Sequence, residues 1–126
     1  MIILIDIDNV DISSIYLGNR ITNKIKNMNW FQRIGYSTKD FDIQGLYISV
    51  PIKACLYKRR SNQLSNIEHK ILTSISPYKL EPLFSLKDEM EQRYHKIISS
   101  HEMMIKISGI WENDKNYGLI FKLINL

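Results

Sequence analysis

The chain is poor in cysteine, proline, glycine and alanine, and each scarcity excludes something. Cys55 is the only cysteine, so an internal disulfide is impossible, and a lone thiol fits a reducing compartment. Gly18, Gly35, Gly45, Gly109 and Gly118 are scattered singly, which leaves no Gly-rich loop to cradle a phosphate. Ala54 is the only alanine in a chain rich in isoleucine, a balance that favours strands over helices. The longest apolar run, Met1–Ile5, falls far short of the roughly 20 residues of a membrane span. It has no basic stretch before it and no small-residue cleavage site after it, so it makes a poor secretory signal. No membrane partner is expected, and an intracellular protein is the simplest reading. No internal repeat or low-complexity tract interrupts the chain.

With 126 residues, 44% of them hydrophobic, the chain has room for one domain and enough apolar material to fill its core. The net charge of +4 is unevenly placed. Residues 1–19 carry Asp6, Asp8 and Asp11 and no base, residues 20–60 carry nine Lys or Arg against Asp40 and Asp42, and residues 61–126 balance. The basic excess therefore lies in one stretch, as a polyphosphate partner requires and as a solvated basic face also produces.

Hydrophobic periodicity predicts a strand over Met1–Asp8, a second over Ile12–Leu17 closed by a Gly18-Asn19 turn, and a third over Asn27–Tyr36. Lys39–Val50 alternates as a single strand that Pro51 interrupts, and Lys53–Arg59 resumes pairing at a sheet edge. The period then changes. Leu64, Ile67, Ile71, Leu72 and Ile75 mark a helix over residues 62–75, with Ser65 and Glu68 as a capping box, Ser61 as an alternative cap, and Pro77 as its stop. Ser85 with Asp88 and Glu89 begins a short helix to about Gln92, and Arg93–Ile98 continues it or forms a strand. Residues 103–125 read as a β-hairpin around Asn113-Asp114-Lys115-Asn116, its second arm apolar on both faces and so central in the sheet. This order predicts a mainly β (α+β) domain spanning residues 1–126. It suits an OB-like five-stranded barrel with one amphipathic helix, a generic α+β sandwich being the alternative.

Catalytic constellations are sparse. Met1–Asn9 ends an apolar strand in Asp6-x-Asp8, an arrangement that holds Mg²⁺ in some phosphoesterases. The further acidic ligands and the strand–helix alternation such enzymes need are missing, so solvent-facing acids that discourage edge pairing explain it better. His69, His95 and His101 form no zinc pattern. Cys55, beside Lys53 and Lys58, lacks a local nucleophile signature. No metal, cofactor or catalytic centre is expected.

What stands out is aromatic residues interleaved with bases: Trp30, Phe31, Tyr36, Phe41, Tyr47 and Tyr57 among Arg33, Lys39, Lys53, Lys58, Arg59 and Arg60. Single strands are held by rings under the bases and cations on the phosphates. About half of these rings must fill the core; Phe41 is assigned to it, and Trp30, Tyr36 and Tyr57 to exposed stacking. The run Lys58-Arg59-Arg60 suits phosphate contacts, or is simply a soluble turn.

Ile107-Ser108-Gly109-Ile110-Trp111-Glu112, the polar turn, and Tyr117-Gly118-Leu119-Ile120-Phe121-Lys122 resemble the closing hairpin of the OB-fold single-stranded DNA-binding proteins of large nucleocytoplasmic DNA viruses and their relatives. Ile34–Pro51, with Phe41-Asp42-Ile43-Gln44, looks like that family's earlier strand, and Asn66-Ile67-Glu68 like the start of its helix. The likeness is strongest over residues 103–125, loose across 29–72, and slight over 1–20 and 77–100. It implies that Trp111 sits beside the binding groove with Lys106 and Lys122 near it. It also implies a role in viral DNA replication, in the host cytoplasm (the viral factory) or nucleus. The chain departs from related phage-type proteins in ending Phe121–Leu126 without an acidic tail, which puts recruitment of replication partners in doubt.

The expected function is non-enzymatic, largely sequence-independent binding of single-stranded DNA or RNA, at Trp30, Arg33, Tyr36, Lys39, Lys53, Tyr57, Lys58, Arg59, Arg60, Lys106, Trp111 and Lys122. Two alternatives stay open. One is a small virion structural or interaction protein that forms a homo-oligomer through its C-terminal strand. The other is a Mg²⁺-dependent phosphoesterase using Asp6 and Asp8.

Overall fold

A computed structural model describes residues 2–22, 30–75 and 80–126. Its spine is the C-terminal hairpin, formed where the alternation places it. Strands β7 (Glu102–Glu112) and β8 (Asn116–Asn125) pair antiparallel from Met103↔Asn125 to Glu112↔Tyr117. Asn113 closes the turn by accepting from the amides of Lys115 and Asn116 at 2.9 and 2.8 Å, the local bonding that favours Asn in turns. One edge of β7 carries β8. The other is shared: β5 (Leu46–Pro51) occupies its first half and β3 (Trp30–Ser37) its second. Around these lie β1 (Leu4–Asp6), parallel to β5, and β2 (Ile15–Thr22), antiparallel to β3. β6 (Glu81–Leu83) runs parallel to the start of β8. The result is a mainly β, α+β fold whose eight-stranded sheet curls strongly into a half-barrel. β8 has neighbours on both sides over its first residues, and Arg93 donates to Leu123 O at 3.1 Å farther along.

The stretch 39–50 is not one strand. β4 (Asp42–Gln44) pairs with β3, the chain turns at Gly45 with φ +82°, and β5 then pairs with β7. The segment thus fills the gap where β3 and β7 diverge, and the Gly45 amide donates to Ile34 O at 2.7 Å. Only glycine adopts that backbone without strain. Gly18-Asn19, expected as a turn, lies inside β2 at an irregularity between Leu17 and Arg20. Single-turn helices take up Ile7–Asn9 and Ile12–Ser14, capped by Asp6 and Asp11, so the first two expected strands are shortened.

Helix α1 (Tyr57–Lys70) begins before residue 62 and continues as a π turn over Ile71–Ile75. Lys53–Arg59, expected to pair at an edge, forms a single-turn helix and the start of α1 instead. The reason is a stripe that polar residues conceal: Arg60, Ser61, Leu64, Ile67, Glu68, Ile71 and Leu72 are all buried at helical spacing. The apolar members pack against the inner face of the sheet, among Ile34, Leu46, Ile48, Val50, Ile105, Ile107 and Leu119. Tyr117 Oη donates to Leu72 O at 2.7 Å and ties β8 to the end of this segment. Pro77, its expected stop, lies outside the described residues, as do Asn27–Asn29. Two short helices follow, α2 (Leu86–Gln92) and α3 (Tyr94–Ser100), so the stretch 93–98 is neither a strand nor a continuation of the first helix but a second helix after a break at Arg93. Among the described residues no helix is long and apolar enough to cross a membrane.

Glu68 does not cap its own helix. Its carboxylate is 1% exposed and accepts from the amides of Ser85 and Leu86 at 3.1 and 3.2 Å, so it caps α2 from α1. Burial raises its pKa, against the lowering effect of those two bonds. The folded state therefore holds the proton more tightly than the unfolded chain. That contribution to stability is complete below the unfolded carboxylate pKa and fades as pH rises through the folded one. Glu68→Gln should remove this pH dependence, and Glu68→Ala should cost about 1–3 kcal/mol by stranding two buried amides. Thermal unfolding of the three proteins between pH 4 and 8 checks both; equal pH slopes for wild type and Glu68→Gln would refute the assignment.

Candidate nucleic-acid interface

The helices pack on one face of the sheet, and strand alternation sends every second residue to the other, outer face. In β7 these are Met104, Lys106 and, past the bulge between Ile107 and Gly109, Gly109 and Trp111. The register continues across the neighbours. Tyr47 faces Lys106, Phe31 faces Trp111, Arg33 faces Gly109, Gly35 faces Gln44 and Tyr16, and on β8 Gly118, Ile120 and Lys122 share the side. None of the aromatic side chains in this set is buried.

Their rings stand close over glycines. A Cβ built on Gly118 would stand 2.9 Å from Trp111 Cζ2, one on Gly109 2.7 Å from Phe31 Cε2, and one on Gly35 2.2 Å from Tyr16 Cζ. Tyr47 approaches Gly45 more loosely, at 3.5 Å. Trp111, Phe31 and Tyr16 thus lie over backbone that only a glycine leaves bare, and all three stay at least partly exposed.

Cations stand between the rings. Arg33 Nη1 donates to Gln44 Oε1 at 3.4 Å, and Lys106 Nζ sits 5.5 Å from the Tyr47 ring centre. Lys106 and Lys122 are direct cross-strand partners. Like charges in that position repel, a cost that a bound polyanion would turn to advantage. Two shallow depressions adjoin along Arg33 and Gln44. One, of about 200 Å³, is lined by Phe31, Tyr47 and Lys106; the other, of about 320 Å³, by Tyr16, Gly35 and Ile21. Asp42 marks one corner, where it accepts from Tyr16 Oη at 2.8 Å and raises the pKa of that phenol.

No family model, curated protein or solved structure matches the chain. The geometry alone therefore sorts the sequence-predicted residues. It brings Arg33, Lys106, Trp111 and Lys122 together on the outer face. Tyr36 is corrected from exposed to buried: it is 3% exposed, its hydroxyl accepts from the Asp11 amide at 3.1 Å, and its ring stacks on the half-buried Phe41. Trp30 is exposed, but alternation puts it on the face opposite Phe31, beneath Arg20, which also pairs with Glu112. Arg60 is likewise buried, donating to Pro51 O at 3.0 Å, to Asp8 at 3.2 Å and to Gln63 at 2.9 Å. Lys58 and Arg59 are exposed on α1, Lys53 just before it, and Lys39 in the bend between β3 and β4. Tyr57 meets Tyr94 edge-on at 4.6 Å, away from the sheet face.

Asp6 and Asp8 are engaged by protein: Asp6 accepts from the Asp8 amide, and Asp8 from Gln63 and Arg60, bonds that lower its pKa. Among the described residues, no group of three or more His, Cys, Asp or Glu is placed to hold a metal ion. Phe31 and Tyr47 belonged to the interleaved cluster but were not selected from it, and Tyr16 and Gln44 were missed. The usable signal was a glycine across the sheet from an aromatic, directly for Trp111 and Tyr16 and diagonally for Phe31, which becomes visible only once the register is known.

Proposed function

We propose that the chain binds single-stranded nucleic acid, DNA in the first place, without enzymatic activity and largely without sequence preference, across the outer face of its sheet. One observation carries the reading: Trp111, Phe31 and Tyr16 stand close over Gly118, Gly109 and Gly35 on the outer face, with Arg33, Lys106 and Lys122 set among them. Bases stack on the rings and phosphates meet the cations, a mode indifferent to sequence because every base has a flat face. The curl of the sheet supports an OB-like barrel as the finer fold reading. Protection of exposed strands during viral DNA replication, in the host cytoplasm or nucleus, is the biological role that accompanies it.

The test is fluorescence anisotropy with a labelled oligonucleotide across a salt series, with and without Mg²⁺. Three phosphate contacts give a log–log salt slope of about −2 for a single strand. Arg33→Met, Lys106→Met and Lys122→Met combined should bring the slope close to zero, whereas Lys58→Gln with Arg59→Gln should leave it unchanged. Arg60 is spared because it is buried and its replacement would strip Pro51 O of its guanidinium partner and Asp8 of one of two. The reverse pattern would place the footprint on α1, and Mg²⁺-dependent cleavage would favour the phosphoesterase.

A further inference from the structure

Gly18-Asn19 forms a bulge, and the bulge opens a cavity at the β2 end of the outer face. The register runs from Leu17↔Ile34 to Arg20↔Gln32, so Gly18 and Asn19 together stand opposite Arg33. Gln32 Nε2 donates to Gly18 O at 2.7 Å and holds the bulge from the paired strand. Bulges re-aim side chains, and a glycine in a strand lets a ligand approach the backbone closely. The depression of about 320 Å³ lies here, lined by Asn19, Arg33, Gln44, Tyr16 and Ile21 and by the backbone of Gly18. All five of those side chains are exposed, so each is open to a ligand.

Arg33 sets the chemistry. Gln44 Oε1 accepts from its Nη1 at 3.4 Å, which leaves most of the five guanidinium N–H donors unused. Among the described residues no carboxylate lines the cavity or pairs with Arg33, and Asp42 at its corner accepts from Tyr16 Oη. The cavity thus presents a planar, charged donor fork beside an aromatic ring and an aliphatic side chain. Its complement is a flat ligand with two adjacent acceptors on one edge. Guanine carries O6 and N7 in that arrangement, whereas adenine sets its N6 amine against the guanidinium. Thymine separates its two acceptors by a donor N–H. Cytosine pairs O2 with N3, but its single ring covers less of Tyr16 and Ile21.

We propose that this cavity reads one guanine of the bound single strand, with Arg33 bidentate on O6 and N7 and Gln44 as the residue that positions the guanidinium. The inference rests on the outer face being the nucleic-acid surface, and it adds one base-reading position to a strand held elsewhere by stacking. The other edge of the guanidinium stays on the backbone phosphate, so Arg33 keeps its share of the salt dependence. The adjoining depression lined by Tyr47 and Lys106 takes the neighbouring nucleotide.

Fluorescence anisotropy with short oligothymidines carrying a single central guanine, adenine, cytosine or 7-deazaguanine tests it, with unsubstituted oligothymidine as reference. The guanine strand should bind about fivefold or more tighter than the others, the scale of one bidentate base contact. The 7-deazaguanine strand, which lacks the N7 acceptor, should lose that advantage. Arg33→Lys keeps the charge and removes the fork. It should abolish the guanine preference while leaving the oligothymidine affinity and its salt slope unchanged. Gln44→Ala should reduce the preference with the same reference affinity. Phe31→Ala with Trp111→Ala should weaken every strand and keep the ratio between them. Equal binding of all strands, preference for another base, or a guanine preference that survives Arg33→Lys or 7-deazaguanine would overturn the subsite and leave the outer face standing as a general binding surface. No binding of any strand would overturn both.

Discussion

Replacing Phe31 and Trp111 together with alanine should weaken binding to a single-stranded oligonucleotide by about 30-fold to 10⁴-fold. The range follows from about 1–3 kcal/mol for each stacked base. The two residues are cross-strand partners in β3 and β7, and their rings rest on Gly109 and Gly118, so one double substitution removes neighbouring platforms. The three cations of the face remain, and the salt slope should therefore stay near its wild-type value while the affinity falls at every salt concentration. Trp111→Tyr should restore most of the loss at that position, because it restores a flat ring. A binding loss that tracks a fall in melting temperature instead would assign these rings to packing.

Gly109→Ala should be the most damaging small substitution in the sheet, at about 3 kcal/mol, or roughly 10 °C in melting temperature for a domain of this size. The added Cβ would stand 2.3 Å from Gln32 O and 3.1 Å from Gln32 C, both backbone atoms of the paired strand, so β3 and β7 have to separate. Gly35→Ala is the control. Its Cβ meets the Tyr16 ring, which is 39% exposed and can swing outward for the loss of one exposed hydrogen bond to Asp42. Stability should change little there, while the ring lifts off the sheet. Denaturant or thermal melts of the two variants make the comparison; equal destabilisation would contradict the distinction between a backbone and a side-chain obstacle.

The hairpin was legible because its arms alternate and its turn is made of Asn and Asp, signals that act within a few residues of one another. Helix α1 was legible only where its buried stripe is apolar. Its first turns bury Arg60 and Ser61, polar residues that periodicity counts as exposed, and Arg60 stays inside because Asp8, Gln63 and Pro51 O meet its guanidinium. Glu68 was placed correctly on the helix but given the wrong partner, since its contact with Ser85 and Leu86 is tertiary.

The candidate site failed to emerge from composition for a similar reason. Phe31 and Tyr36 stand in the same basic stretch and the same strand, yet alternation turns one outward and the other into the core. Trp30, next to Phe31, goes to the opposite face. Four residues of the outer face, Arg33, Lys106, Trp111 and Lys122, were nevertheless named from the sequence, three of them through the hairpin resemblance. What assembles them is the bulge between Ile107 and Gly109, which shifts the parity of β7 so that Lys106 and Trp111 share a face despite their odd separation.

The outer face is tested most directly by mapping amide chemical shifts while titrating in a short single-stranded oligonucleotide. The account predicts perturbations grouped on residues 31–35, 44–47, 106–111 and 118–122, with α1 unmoved. Perturbations centred on residues 57–62, with the sheet strands silent, would contradict it.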